Sequence, residues 1–398
     1  MRWFLINGMA ANDEADDFQQ RLTLAYRDKA RPLCLCNDEG VAMYVAKIGD
    51  HLAIKRMPLT GADHSAVCPS YEPPYELSGL GPLMGGAIKL DPVAGTAIVK
   101  LDFSLSKRSS SRGATAACEA ADSIKNDGRK LSLRGLLHFL WHESGLTEWT
   151  AHWVGKRHWR QVYHHLQEAA GMMSVRQQSL AERVFIPEPF RADDKVVIEQ
   201  RRMQALSALF EASSGPRKLM VLVAEIKEFS PAREGQIVVI KHMPGFLLHL
   251  EEAAWRLLQH RFETELTLWR SNESSHLIAI ATIAGHPSGV VTVNEIALMV
   301  VTEQWLPIEN AFEQRLLKRL TPLREKMIKG LRFDLARTRP LANVVLPDRR
   351  PSARALYIVP PSADESFETD LHAMITARSD MSAWIWRAGE EEMPPLTA

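Results

Sequence analysis

Three of the chain's four cysteines fall within 35 residues, with a histidine among them: Cys34, Cys36, His64 and Cys68. Thiolate sulfur and imidazole nitrogen are donors that zinc favours, and four of them complete a tetrahedral shell with no position left for a substrate. Cys34 and Cys36 are two apart, so on a strand both thiols leave the same face. His64 and Cys68 are four apart, which puts them on one face of a helical turn. The set is expected to hold a structural zinc that clasps a module small for its core. The competing reading packs the three cysteines as small hydrophobes and leaves His64 in a loop. Cys118, in the Ala-rich stretch ATAACEAAD, is expected to be packed rather than reactive.

The ligands need a scaffold. Between Arg31 and Met57, RPLCLC, VAMYVAK and HLAIKRM read as three short strands joined by polar turns, a small antiparallel sheet. The start, MRWFLINGMAANDEADD, lacks the long apolar core and cleavage site of a signal peptide, so the cytoplasm is expected. Apolar residues make up 46%, charged residues 24%, and the formal net charge is zero, which suits a soluble chain and argues against disorder or a membrane span. At 398 residues, two to four domains are expected.

RPLCLC, MYVAK, KRMP, HSAVCPSYEPP and ELSGLG, then LRGLLHFLW, GKRHW, IPEPF, EIKEF, KHMPGF and EIALMVVTEQWLP, run in this order from about Arg31 to the C-terminus. The chain thereby resembles the uncharacterised bacterial family called domain of unknown function 1173. Members are typically encoded on conjugative elements or plasmids, and the resemblance implies by association a role in element maintenance, transfer or host interaction. It implies no activity for any residue.

Leu133, Leu136, Leu137 and Leu140 have helical spacing, and a second helix is expected near Trp159, with a strand over Leu180 to Ile186. The arrangement resembles a winged helix-turn-helix, in which Lys156, Arg157 and Arg160 at the second helix's amino end would meet phosphates. A plain helical spacer is the alternative. Six histidines fall between His138 and His165, but no HExxH accompanies them and no second metal site is assigned.

Lys218 to Glu225, Gln236 to Lys241, His276 to Ile283 and Val290 to Val301 read as strands around a long helix, Glu251 to Arg270, an α/β unit. Glu225, Lys227 and Glu228 at a strand end are left unassigned. The last ninety or so residues read as helix, three strands, helix, strand: Pro307 to Leu320, Gly330 to Asp334, Ala342 to Leu346, Arg354 to Val359, Glu365 to Ala377 and Ala383 to Arg387. This order resembles the restriction-endonuclease-like core, whose Mg²⁺ is held by a helix glutamate, an Asp after a strand and an acidic-x-Lys on the next strand. Glu313 and Asp348 match two of these places. The strand ARALYIVPP has neither carboxylate nor lysine for the third, so the domain is expected to be inactive.

Phe312 to Arg350 carries eleven Lys and Arg against four acids, whereas the tail after Val359 carries eight acids against two bases. Arg315, Lys318 and Arg319 on the basic run are candidate phosphate contacts, against the alternative of a solvated face. The fold expected is α+β and multi-domain: a zinc-clasped β module (1–106), a linker (107–129), a winged-helix-like segment (130–215), the α/β unit (216–305) and the nuclease-like αβββαβ domain (306–398). The leading functional reading is a non-enzymatic nucleic-acid-binding or scaffolding factor of a mobile element. A protein-interaction module is the second. A metal-dependent nuclease using Glu309, Glu313 and Asp348 with Glu225 or Glu228 is the third. Nucleic acid and a partner protein are both left open as partners, no membrane is implied, and the oligomeric state is undetermined.

Overall fold

The computed structural model describes residues 1–91, 94–107, 128–211 and 216–396. Apart from Lys107, Gly128 and Arg129, the expected linker, with Cys118 in it, lies outside the described residues. The architecture is mixed α+β, with eight α-helices and several sheets among the described residues. No described helix is long and apolar enough to cross a membrane.

The N-terminal sheet has five antiparallel strands in the order Met9–Asn12, Trp3–Ile6, Leu33–Cys34, Val41–Ile48, His51–Arg56. The last three are the strands expected from the sequence. The first two form a hairpin whose turn is Asn7-Gly8, both at positive φ (49° and 78°), the dihedrals a two-residue hairpin turn requires. The helix Phe18–Arg27 lays Phe18, Leu22 and Ala25 on the sheet against Phe4, Ile6, Val41 and Met43. Those positions are spaced i, i+4, i+7, a single helical face.

Two helices follow, Leu133–Glu143 and Trp159–Gly171. Ser132 caps the first by accepting from the Gly135 amide at 3.0 Å, and Gly145 at φ +75° ends its exit turn. That helix is buried on nearly every side and packs on the strands His276–Gly285 and Val291–Val301. The strand expected over Leu180 to Ile186 divides into a 3₁₀ turn, Leu180–Glu182, and a short strand, Val184–Phe185. A hairpin, Met173–Val175 with Gln178–Ser179, precedes it and runs parallel to Thr96–Val99.

The expected α/β unit is instead a β-barrel. Met220–Pro231 pairs along its first half with His276–Gly285 and along its second with Gln236–Ile240, with a bulge between Ile226 and Glu228 where it changes partners. Gln236–Ile240 pairs with Leu248–Leu250, which lies parallel to Val291–Val301, which closes on His276–Gly285. Numbered along the chain, these five strands stand in the order 1-2-3-5-4, with 4 back against 1. The expected single helix is two, Glu252–Arg261 and Glu263–Ser271, meeting at Phe262. They lie between the third and fourth strands. The three-residue strand Leu248–Leu250 has too little alternation to be read from sequence, yet without it the sheet does not close.

The C-terminal part runs helix Ala311–Leu320, strands Met327–Lys329, Val344–Leu346 and Arg354–Val359, helix Glu365–Thr376, strand Ser382–Arg387. The element order is the one read from the sequence, with the first strand ahead of its expected place at Gly330. Each of the three strands is antiparallel to the next, and the last strand returns parallel to Arg354–Val359. Glu148–Trp149 adds a fifth strand beside Met327–Lys329. One apolar core runs from Leu80 to Ala388 through the helices, the barrel and this sheet, so the segments 130–215, 216–305 and 306–398 share it.

Candidate metal centre

Cys34 ends its strand, with its Cα opposite Phe4 and Val41, and its side chain is buried in the N-terminal core. The chain then leaves the ladder, and an Asn37 side chain accepting from the Gly40 amide at 2.8 Å shapes the turn that carries Cys36. On the other side, His64 follows the 3₁₀ turn Gly61–Asp63, and the turn Ser65–Cys68, closed by a 2.8 Å backbone bond, returns Cys68 beneath it. Asn37 Nδ2 ties the two loops by donating to the Asp63 carbonyl at 3.1 Å.

The four ligand atoms lie within 4.8 Å of one another. Cys34 Sγ is 3.8 Å from Cys68 Sγ, and His64 Nδ1 is 3.3 Å from Cys36 Sγ and 3.7 Å from Cys68 Sγ. With metal–sulfur bonds of about 2.3 Å and metal–nitrogen bonds of about 2.0 Å, a tetrahedral ion spaces its donors by roughly 3.5–3.8 Å. The Ser65 and Ser70 amides point at Cys36 and Cys68 sulfur at 3.5 and 3.4 Å, polarity suited to thiolates rather than thiols. The hydrogen bond from Cys34, with His64 and the Ser70 amide, lowers the Cys68 thiol, while Cys34 is pushed up by Cys68 and by burial. The Cys34, Cys36, His64 and Cys68 group fits a metal ion.

The loop that carries His64 and Cys68 is anchored on its far side. Lys326, from the expected basic run, donates to the Pro69 and Tyr71 carbonyls at 2.8 and 3.3 Å. Buried Glu72 pairs with Arg56, whose other nitrogen reaches Glu148 at 2.8 Å. The ligand loop is therefore a joint between the N-terminal sheet, the helical segment and the C-terminal part.

The carboxylates expected from the sequence to match a nuclease site are placed differently. Glu313 is buried, and its Oε1 accepts from Lys329 Nζ at 2.9 Å and Asn343 Nδ2 at 2.8 Å, while Oε2 accepts from the Glu309 amide at 2.8 Å. Glu309 pairs with Arg332 at 2.8 Å; burial would raise its carboxyl, but Arg332, Arg134 and Lys329 outweigh that and hold it at about 2. Asp348 is exposed beyond the strand Val344–Leu346, and Glu228 is exposed on the barrel. Among the described residues, these carboxylates and Glu225 form no three-ligand cluster.

The basic candidates divide. Lys156 and Arg160 are exposed, with Arg160 3.6 Å from Asp50. Arg157, expected beside them at a phosphate-facing surface, is buried: it donates to the Leu146 carbonyl at 3.1 Å and to Glu148, and its guanidinium lies 4.9 Å from the Trp153 ring. Its fork finds carbonyl acceptors and an indole face inside the protein, so it is not a surface contact. Arg315, Lys318 and Arg319 are exposed along Ala311–Leu320, Arg315 with its guanidinium 5.3 Å from the Trp386 ring. Lys329 and Arg332, from the same basic run, point inward. Glu225, left unassigned from sequence, gathers His242, His276 and Lys241 around it. The only sequence signal for that cluster is a buried-strand pattern interrupted by one acid.

No curated protein and no solved structure matches the chain. Residues 4–389 match the family model described as Protein of unknown function (DUF1173). A match over nearly the whole chain, through the ligand loops, the barrel and the C-terminal sheet alike, places this protein in the DUF1173 family.

Proposed function

We propose that this protein is a non-enzymatic nucleic-acid-binding or scaffolding factor of a bacterial mobile element, with zinc at Cys34, Cys36, His64 and Cys68 holding its N-terminal joint. The observation that carries the reading is the barrel. Strand order 1-2-3-5-4 with a helical connection between the third and fourth strands is that of OB-folds, which commonly bind oligonucleotides. The exposed Arg315, Lys318 and Arg319 supply charge of the right sign for phosphate. The αβββαβ order supports a nuclease-like ancestry, and the ion pair filling Glu313 supports its inactivity. Two helices followed by a hairpin support the winged-helix likeness. The family resemblance supplies the mobile-element setting. Three thiolates and an imidazole favour zinc over harder cations.

The test is fluorescence polarisation of labelled single- and double-stranded DNA with the metal-replete protein across a salt series, with Mg²⁺ added last. Binding that weakens steeply with salt, without cleavage, is expected. No binding at low salt would sink the reading, and Mg²⁺-dependent cleavage lost in Asp348→Ala would replace it with the nuclease. A specific observation favours a protein partner as the second reading. The helix Lys195–Leu206 leaves Val196, Val197 and Met203 at 65%, 48% and 70% exposure. Pull-down with and without nuclease treatment separates the two, because partners bridged by nucleic acid vanish on digestion.

A further inference from the structure

A cavity of about 380 Å³ opens at one end of the barrel, where Lys241 follows the end of the second strand and the fourth begins at His276. At its wall Glu225, 3% exposed, accepts from Lys241 Nζ and His276 Nδ1, both at 2.7 Å, through one carboxylate oxygen. The other oxygen, Oε2, has no hydrogen bond; His242 Nε2, also without one, stands 3.6 Å away. Each imidazole is stacked on an indole: His276 on Trp305 at 4.1 Å and 13°, His242 on Trp159 at 5.2 Å and 11°. Trp305 is held at φ +62°, a left-handed conformation that a bulky side chain rarely adopts and that is retained where a site over-determines it. Trp149, whose Nε1 is buried without an acceptor, and half-buried Trp153 also line the space.

These features specify a ligand. Trp149, Trp159 and Trp305 are buried, so the indole a flat ring can stack on is half-buried Trp153, and a buried carboxylate oxygen whose nearest donor, His242 Nε2, stands too far for a hydrogen bond has room for another N–H. Lys241, 46% exposed, and His158, exposed, stand at the cavity and can meet an anion. Arg157 and Lys241 on the lining are balanced by Glu225 and Glu303, so the choice of an anion rests on where Lys241 and His158 stand. A nucleotide is such a ligand, a flat ring bearing N–H groups and carrying an anion. The volume lies within the roughly 300–1,000 Å³ of pockets that hold small ligands. We infer that this cavity binds a single unstacked nucleotide, its base against Trp153 with an N–H on Glu225 Oε2 and its phosphate toward Lys241 and His158. The inference deepens the nucleic-acid reading and rests on it for the source of the nucleotide.

The test is calorimetric titration of the full-length, metal-replete protein with AMP, GMP, CMP and UMP, alongside inorganic phosphate and tetramethylammonium. At least one nucleotide binds one-to-one, and Lys241→Ala weakens it about tenfold, the loss of one charge-assisted bond. Glu225→Gln alters the ranking of the four bases; because Glu225 also anchors Lys241 and His276, the exposed Lys241→Ala and His158→Ala carry the test if that variant does not fold. Absence of nucleotide binding, equal binding of phosphate alone, or binding of tetramethylammonium instead overturns the inference. Displacement of the nucleotide by a single-stranded oligonucleotide assigns the pocket to a strand, and failure to displace assigns it to a free nucleotide; both support it. Oligonucleotide binding without mononucleotide binding sinks the pocket and leaves the broader reading standing. Mononucleotide binding with no oligonucleotide binding does the reverse.

Discussion

Lys329 Nζ lies 2.9 Å from Glu313 Oε1, with each side chain only 2% exposed. The place where a nuclease-like core would carry a metal-binding glutamate holds an internal ion pair, completed by Asn343 Nδ2 and the Glu309 amide. Asn343 in turn accepts from the Ile358 amide at 2.8 Å, so the helix Ala311–Leu320 is locked to the adjoining strands through this one carboxylate.

Removing Lys329 alone strands a buried carboxylate. Lys329→Met is expected to destabilise the protein by about 3–5 kcal/mol. Adding Glu313→Leu restores part of the loss, and a double-mutant cycle by denaturant unfolding measures the coupling. Mg²⁺ leaves the wild-type midpoint unchanged, because both Glu313 oxygens are already taken; a Mg²⁺-dependent rise would mean the site still loads metal.

The ligand loop ties three parts of the molecule together, so loss of the metal propagates. We expect about one equivalent of zinc by elemental analysis. A strong chelator should lower the unfolding midpoint, as should Cys36→Ser, and zinc should reverse the chelator's effect. Full retention of stability after metal removal would favour the packed-cysteine reading.

His138 is buried and accepts from the Phe333 amide through Nδ1 at 3.0 Å, and burial lowers its pKa to about 3. Its ordinary value is 6.5, so between those limits the unfolded chain binds the proton and the folded one does not. The contribution is fully present above pH 6.5 and is lost as pH falls toward 3; from pH 7 to 5 it amounts to about 2 kcal/mol. His165, lowered to about 3 by burial, acts with the same sign. His138→Gln keeps an acceptor for Phe333 and is expected to flatten the stability profile below pH 6.5; an unchanged slope would place His138 in contact with solvent.

Two sets of basic residues should behave oppositely. Alanine at Arg315, Lys318 and Arg319 is expected to leave folding intact and reduce the salt slope of DNA binding by roughly two to three, at about 0.9 per phosphate contact. Arg157→Ala removes buried hydrogen bonds to carbonyls and its stacking on Trp153, and is expected to cost about 1.5–3 kcal/mol of stability without changing that slope. Circular dichroism melts and polarisation titrations at several salt concentrations separate the two.

The sequence by itself determined what is local. Ligand type and spacing at Cys34, Cys36, His64 and Cys68 identify a metal-capable group, because one turn on each side places two donors together. The strands Val41–Ile48 and Arg354–Val359 and the helix Glu365–Thr376 were legible for the same reason: their periodicity lies within a few residues. The Asn7-Gly8 turn is local in the same way, its two residues carrying the hairpin signal themselves. Tertiary structure alone decided the rest. The barrel closes through Leu248–Leu250, three residues with no pattern of their own, whose partner begins at Val291. Glu313 finds Lys329 and Asn343, sixteen and thirty residues on, and Arg157 finds the Gln304 carbonyl 147 residues away. Whether a charged side chain becomes a metal ligand, a phosphate contact or a buried strut depends on which distant groups desolvate and satisfy it. Those groups meet only when the chain is folded.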